Sequence, residues 1–493
     1  MRLTKSQYML AKQCPKAIWL HKNNPEAVER DVNNEGLYET GRIVGEYAQM
    51  LFPGGVLVQF AGDAQKAVVE TRKLIEQGVH TIYEAAFSYE DCFAMCDILC
   101  WTRNGWEIYE VKSSTELKPE YIQDVLFQYY ILSSLRMDIA KVNIVYINNQ
   151  YERNGKLKPE ELFKIEDVTT EVKTLSENIL SELRDIISIL AEQDEPNLGI
   201  GEYCLKPYEC ACKGYCWSHI PEDSVFSLSR VKTSLKFSLY KQGVITFEEI
   251  AASGARLSSQ AAEIQIRSYI SGEDILNKEG IRDFLNTIYF PLYFLDFETF
   301  QQPIPMFDGL KPYEQIPSQY SLHYLEKDGA ELKHKEFLAK EGKDPRRELG
   351  ERLVNDIPKD VCVMAYNMQF EKSVIVRLAQ QFKDLHDHLM NIHENMVDLM
   401  VPFQKKHCYM KEMKGSYSIK HVLPALFPDD GELDYKRLNI SNGSVAMQAF
   451  AYLHLKEPKE IGQIRKDLLE YCKLDTLAMV RVWEKLKSFV DNY

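Results

Sequence analysis

No apolar run in this 493-residue chain approaches the roughly 20 residues that a membrane-spanning helix requires. The first residues, MRLTKSQYMLAKQC, lack a continuous apolar signal core and a small-residue cleavage site, so the expected setting is the cytoplasm. Internal repeats and low-complexity tracts are also missing, which sets aside solenoid and fibrous architectures. Positive charge is in deficit: 59 Lys and Arg stand against 73 Asp and Glu, a net of −14. A protein that coats nucleic acid indiscriminately needs the opposite balance, because neutralising phosphates takes cations. A nuclease stays within reach, since carboxylates that hold divalent ions shift the count in this direction. Two basic stretches, Lys333–Arg347 (KHKEFLAKEGKDPRR) and Lys405–Lys420 (KKHCYMKEMKGSYSIK), are either backbone-binding or plain solvated faces.

What the chain does have is core material. A hydrophobic content of 45% and an aromatic content of 11% fit well-packed domains, and the length calls for two or three of them. Residues 1–217 mix helical periodicity (Glu35–Leu51) with strand-like runs (Thr81–Trp101, Trp106–Val111, Val142–Ile147) and close on GEYCLKPYECACKGYCW. Residues 218–288 read as a helical linker in which LYKQGVITFEEI is similar to half of a helix-hairpin-helix. Residues 289–493 open strand-first on PLYFLDFETF and then alternate apolar runs with helices, an α/β pattern.

In LYFLDFETF, alternation puts Asp296 and Glu298 on one strand face and Phe297 on the other. A buried strand normally excludes charge, so two carboxylates on one face call for a divalent cation or for paired Lys and Arg. VCVMAYNMQFEKSVI reads as a strand, a turn at Tyr366–Asn367 and a helix with Glu371 in its first turn. In LLEYCKLDTLAMV, Tyr471 and Asp475 are i,i+4 neighbours on a helix. D-x-E, N-x-x-x-E and Y-x-x-x-D, in this order over about 200 residues, resemble the tyrosine-bearing DEDD exonucleases. The resemblance implies a ribonuclease H-like 3′–5′ exonuclease domain in which Asp296, Glu298, Glu371 and Asp475 hold two Mg²⁺ or Mn²⁺ ions. It further implies that Tyr471 orients the attacking water and that Asn367 and Lys420 position substrate; Asp398 is a secondary candidate. One departure stands out: the family has Asp where this chain has Glu371.

The N-terminal segment carries Asp97 and, thirteen residues later, Glu110-x-Lys112 on a strand, with Asp97 expected to end or interrupt the strand before it. Two carboxylates and a lysine at a sheet edge make a metal site with an ammonium that positions or activates water. With Glu46 and Glu84 before it and Gln128 on a following helix, the layout resembles the RecB-like branch of the PD-(D/E)XK, restriction-endonuclease-like nucleases. That resemblance makes Asp97 and Glu110 metal ligands, Lys112 catalytic and Gln128 substrate-positioning.

Disulfides are unexpected for eleven cysteines in a cytoplasmic setting; metal binding or packing is expected instead. Cys14, in AKQCPK, and the group Cys204, Cys210, Cys212 and Cys216 resemble the ligands of iron–sulfur RecB-like nucleases. The implied cofactor is a [4Fe–4S] cluster on Cys14, Cys204, Cys210 and Cys216, with Cys212 spare, zinc as the alternative metal, and a role in clamping the N-terminus to the domain's end. Cys92, Cys96 and Cys100 share a strand face and read as buried hydrophobes; Cys362, Cys408 and Cys472 read as packing residues.

The expectation is a metal-dependent nuclease acting on nucleic acid, DNA before RNA, with two active sites, in repair or antiphage defence. One alternative keeps a single catalytic site and leaves the other domain to bind nucleic acid. Another is a metal-stabilised scaffold for a partner protein such as a nuclease, a helicase or a defence component.

Overall fold

The computed structural model describes residues 3–29 and 35–491. The chain is a mixed α/β protein that divides into two compact units. The first comprises Met1–His219 with Gln302–Glu314, and the second Ile220–Gln301 with Gln315–Tyr493. Among the described residues no helix is long and apolar enough to cross a membrane.

The first unit is built on a seven-stranded sheet of β1 (Leu3–Thr4), β2 (Val56–Leu57), β3 (Thr81–Tyr89), β4 (Cys92–Thr102), β5 (Gly105–Lys112), β6 (Ile139–Ile147) and β7 (Phe163–Asp167). The spatial order is β2-β3-β4-β5-β6-β7, with β1 pairing parallel to the start of β4. The run Thr81–Trp101 is thus two strands of a hairpin, parted at Glu90, whose φ of 49° turns the chain. β5 and β6 are parallel, which demands a crossover, and the helix Pro119–Ser134 supplies it. Proline at its first turn costs no hydrogen bond there, and Ile122, Val125, Phe127 and Ile131 bury it against the sheet.

The helical stretch after residue 218 does not stand apart as a linker. It has a small core of its own around Leu239, Phe247, Ile250 and Ile266, and it groups with the second unit. Two features tie it in: β8 (Ile275–Leu276) pairs with β14 (Cys408–Tyr409), and Ile281 and Phe284 join the core around Leu292 and Phe294.

The second unit's main sheet comprises β9 (Leu292–Phe300), β10 (Ile316–Leu325), β11 (Lys333–Leu338), β12 (Cys362–Ala365) and β13 (Met396–Asp398), in the order β11-β10-β9-β12-β13. β9, β10 and β11 are antiparallel; β12 and β13 run parallel to β9. The 34-residue helix Pro458–Asp491 packs on this sheet, with Trp483 against Phe294 and Thr476 bonded to Ser321.

Between β9 and β10 the segment Gln302–Glu314 belongs to the first unit. Arg153 donates through Nη1 to the carbonyls of Pro305 (2.8 Å) and Met306 (2.9 Å), and its backbone exchanges hydrogen bonds with Gly309 and Leu310. Ile304 joins the apolar cluster of Val44, Tyr83 and Ile147, and the Tyr313 hydroxyl donates to the Ser113 carbonyl. Local propensity in QQPIPMFDGLKPYE marks only a loop; its partners lie more than 150 residues upstream.

Candidate functional site

β12 pairs with β9 only over Leu292–Phe294, so the next residues of β9 have no neighbour on that side. Asp296 and Glu298 sit on this freed stretch, at the carboxyl end of the parallel pairing, where open α/β sheets leave a crevice. The long helix brings Asp475 to them, and oxygens of Asp296, Glu298 and Asp475 lie within 4.8 Å of one another. Among the described residues no Lys or Arg nitrogen comes within 4.0 Å of these three carboxylates. Burial first, then Asp475, Glu298 and Glu371, pushes the Asp296 carboxyl well above its ordinary value. Burial and Asp475 do the same to Glu298, with Lys420 opposing. Asp475 is pushed up to about 6 by burial, against a hydrogen bond of 2.6 Å donated by the Tyr435 hydroxyl. Such a cluster can accept a divalent cation, which would offset the burial that raises all three and the repulsion that adds to it at Asp296 and Glu298.

Tyr471 lies one helical turn before Asp475 and is buried; burial, Asp475 and Glu298 keep it a neutral phenol. Glu371 is 3% exposed in the first turn of the helix Gln369–Gln381, with Oε2 bonded to nothing. It adds to the field on Asp296 and Glu298 but lies outside the group of three that meets within 4.8 Å. Burial and nearby Asp398 lift it to about 8. Asn367 adopts φ 67° at the turn, and its N–H donates to Asp398 Oδ1 at 2.9 Å; the same oxygen accepts from Met400 N. Asp398 therefore shapes the loops beside Glu371. Lys420 is exposed at the start of the helix Ile419–Leu426 and acts on Glu298 and Asp475 through its field.

Two contributors escaped the sequence reading. Tyr435 lies in an irregular stretch with no periodicity to flag it. Gly443 opens a helix so near the cluster that a Cβ there would stand 3.8 Å from Glu298 and from the Tyr471 hydroxyl. Cys472, read as packing, is buried with Sγ 3.7 Å from Asp296 Oδ2.

In the first unit, β4 and β5 pair from Thr102 and Gly105 up to Ile98 and Tyr109, then part. Asp97 and Glu110 are the next residues of each strand, so both stand in the opening. Asp97 lies inside β4 rather than ending it, because β3 continues alongside on the other edge. Its Oδ2 accepts the Val111 N–H at 2.6 Å, replacing the lost ladder bond. Opposite it on β3, Glu84 has φ 54°, strained for a side-chain-bearing residue. Glu110 is fully buried and heavily bonded: Oε1 accepts from Lys5 (2.5 Å) and Lys112 (2.8 Å), and Oε2 accepts from Gln128 (2.5 Å). Burial pulls its carboxyl up, but Lys112 and Lys5 outweigh that and hold it at about 2. Asp97, without such contacts, is pushed up to about 7 by burial and by Glu110. Lys112 also binds Asp124 from the crossover helix; burial disfavours its charge, yet Glu110 and Asp124 keep it an ammonium. Gln128 Oε1 is buried and has no partner. Glu46 lies outside this group, on an exposed helix face where it pairs with Arg42 four residues before it.

Cys14, Cys204, Cys210, Cys212 and Cys216 line one hollow. Cys14 caps the helix Pro15–Asn23, and Gln13 Nε2 donates to the carbonyls of Tyr203 (2.9 Å) and Tyr208 (2.7 Å), so the N-terminal helices close on the unit's last segment. Cys212 is no outlier: it is 1% exposed, and its thiol hydrogen-bonds Cys210 and draws it down to about 6. Cys92, Cys96 and Cys100 are buried in β4, and Cys362 and Cys408 in the second unit.

Residues 293–418 match the model of a family described as a domain of unknown function, DUF2779. That span contains Asp296, Glu298, Glu371 and Asp398 and ends before Tyr471 and Asp475. The chain is 25% identical over 215 residues to the uncharacterized protein MG366 homolog of Mycoplasma pneumoniae, covering 40% of this chain and 32% of that one. It is 24% identical over 262 residues to the uncharacterized protein UU173 of Ureaplasma parvum serovar 3, covering 45% and 38%. The chain thus spans about a third of the length of these curated relatives, and part of its second unit is similar to a domain of unknown function.

Proposed function

We propose that this chain is a metal-dependent nuclease, a phosphodiesterase that trims DNA ends or single strands through two carboxylate centres. The observation that carries the reading is the meeting of Asp296, Glu298 and Asp475 within 4.8 Å, with no ammonium in contact among the described residues. The strand order around β9 and the position of the carboxylates past its parallel pairing support a ribonuclease H-like exonuclease domain. Asp296, Glu298 and Asp475, with Glu371 beside them, would hold Mg²⁺ or Mn²⁺. When bound, such ions stabilise the attacking and leaving oxygens of a phosphodiester displacement. Tyr471, kept neutral, orients the attacking water through its hydroxyl, and Lys420 and Asn367 border the substrate.

In the first unit Asp97 and Glu110 would hold the ion and Lys112 would supply positive charge, as in a PD-(D/E)XK nuclease. Gln128 fixes the Glu110 carboxylate. Alanine at Asp97 and at Asp296, introduced separately and assayed on labelled single-stranded and duplex DNA and RNA with Mg²⁺ or Mn²⁺, tests both centres. Each substitution is expected to remove one component of degradation by about a hundredfold or more; unchanged degradation in both would sink the reading. A second reading, in which the C-terminal centre binds nucleic acid without cleaving it, is favoured by Glu371 standing outside the group of three.

The five-cysteine hollow is proposed to hold a [4Fe–4S] cluster on Cys14, Cys204, Cys210 and Cys216. The convergence of the five cysteines on one hollow supports a shared metal site, with zinc as the alternative occupant. A brown anaerobic preparation with visible absorbance is expected; a colourless one containing zinc overturns the cluster.

A further inference from the structure

Lys5 has a place that its own helix does not favour. Thr4 ends β1 in register with Phe93 and caps the following helix through a reciprocal pair of bonds with Gln7. This fixes Lys5 as the first residue of the helix Lys5–Gln13, where a cation opposes the helix dipole. Its ammonium reaches Glu110 Oε1 at 2.5 Å. Glu110 does not need it: Lys112 binds the same oxygen and Gln128 the other. A locally unfavourable residue that makes a redundant contact is a sign of function rather than of packing.

Charge counting gives that function a form. Glu84, Asp97, Glu110 and Asp124 face Lys5 and Lys112, four carboxylates against two ammonium groups. Burial raises Asp97 and Glu84, so the two-charge surplus is complete only when both ionise, the state that a divalent ion favours. Lys112 is held on both sides, by Glu110 and Asp124, whereas among the described residues Lys5 has Glu110 as its one ion-pair partner. Lys5 is therefore the cation that can yield.

We infer that Lys5 is a displaceable counter-cation. It holds Glu110 when the site lacks a divalent ion, gives way as the ion binds, and then presents its ammonium to the substrate phosphate. The inference rests on the metal-binding reading of this site, adding a positioning residue to it.

The test titrates Mn²⁺ alone into full-length protein carrying Asp296→Asn and Asp475→Asn, following the free ion by electron paramagnetic resonance. These two changes silence the C-terminal carboxylates and leave the first unit untouched. In that background Lys5→Gln is expected to bind Mn²⁺ about tenfold more tightly, as loss of a charged competitor implies. Lys5→Arg keeps the charge and should stay within about threefold of the background. With Mn²⁺ present, Lys5→Gln should also bind a single-stranded oligonucleotide more weakly, with a shallower salt dependence. Equal or weaker Mn²⁺ binding by Lys5→Gln overturns the inference. Asp97→Asn separates the two levels: if it abolishes Mn²⁺ binding while Lys5→Gln changes nothing, the site stands and the role of Lys5 falls. If the background protein binds no Mn²⁺, the metal-binding reading fails, and the inference with it.

Discussion

The two carboxylate clusters solve the same electrostatic problem in opposite ways. In the first unit Glu110 is surrounded by its own neutralisers, Lys5, Lys112 and Gln128, and its carboxyl lies near 2. In the second, Asp296, Glu298 and Asp475 face one another, no ammonium among the described residues touches them, and all three are raised. The first cluster has two ammonium groups built into the fold; the second has none in contact among the described residues. The difference shows that a similar inventory of acids can be partly neutralised from within or left to face one another, according to what neighbouring helices bring to it.

The comparison is most easily broken by removing charge from each side. Lys112→Gln leaves buried Glu110 and Asp124 short of a partner and should destabilise the first unit by roughly 3–5 kcal/mol in denaturant unfolding with EDTA. A loss below about 1 kcal/mol would mean that Lys5 and Gln128 suffice. A pH series in EDTA comes next. Asp475, raised to about 6, and Glu371, raised to about 8, are protonated in the folded state at pH values where the unfolded chain is already ionised. Stability tied to them is present at low pH and lost as pH climbs from about 4 through 6 and 8, of order 3 kcal/mol for a shift of two units. Glu110, depressed to about 2, behaves oppositely: its contribution is present above about 4.5 and lost as pH falls toward 2. Asp97 of the first unit, raised to about 7, follows the rule of Asp475, so the two units part company only below about pH 4.5, and a first unit that lost no stability between about 4.5 and 2 would break the contrast. The smallest effect is the sharpest in sign. Asp296→Asn should raise the metal-free unfolding midpoint, by roughly 1–2 kcal/mol, because it relieves repulsion, and should reduce the further gain from Mn²⁺.

Much of this was legible because strand and helix periods place residues on faces. D-x-E puts Asp296 and Glu298 together, and Y-x-x-x-D does so for Tyr471 and Asp475. E-x-K likewise sets Glu110 beside Lys112. Glu371 was also placed correctly in a first helical turn. What stayed hidden came through pairing at long range. Lys5 reaches its site because β1 joins β4, and Asp124 because a crossover helix packs back over β3, β4 and β6. Tyr435 sits in an irregular stretch that has no period to read. Glu46 misled because an acid on an amphipathic helix looks the same whether it turns to a site or, as here, to Arg42.

The segment Gln302–Glu314 bears on synthesis as much as on architecture. A chain emerging from the ribosome folds its N-terminal portions first. The first unit contains thirteen residues encoded after the opening strand of the second, so its assembly cannot finish when His219 emerges. Until Glu314 has followed, Arg153 lacks the carbonyls it binds and the apolar cluster at Val44 and Tyr83 lacks Ile304. A fragment ending near residue 219 is the arrested form of that intermediate, and supplying the peptide 302–314 in trans is the natural way to complete it.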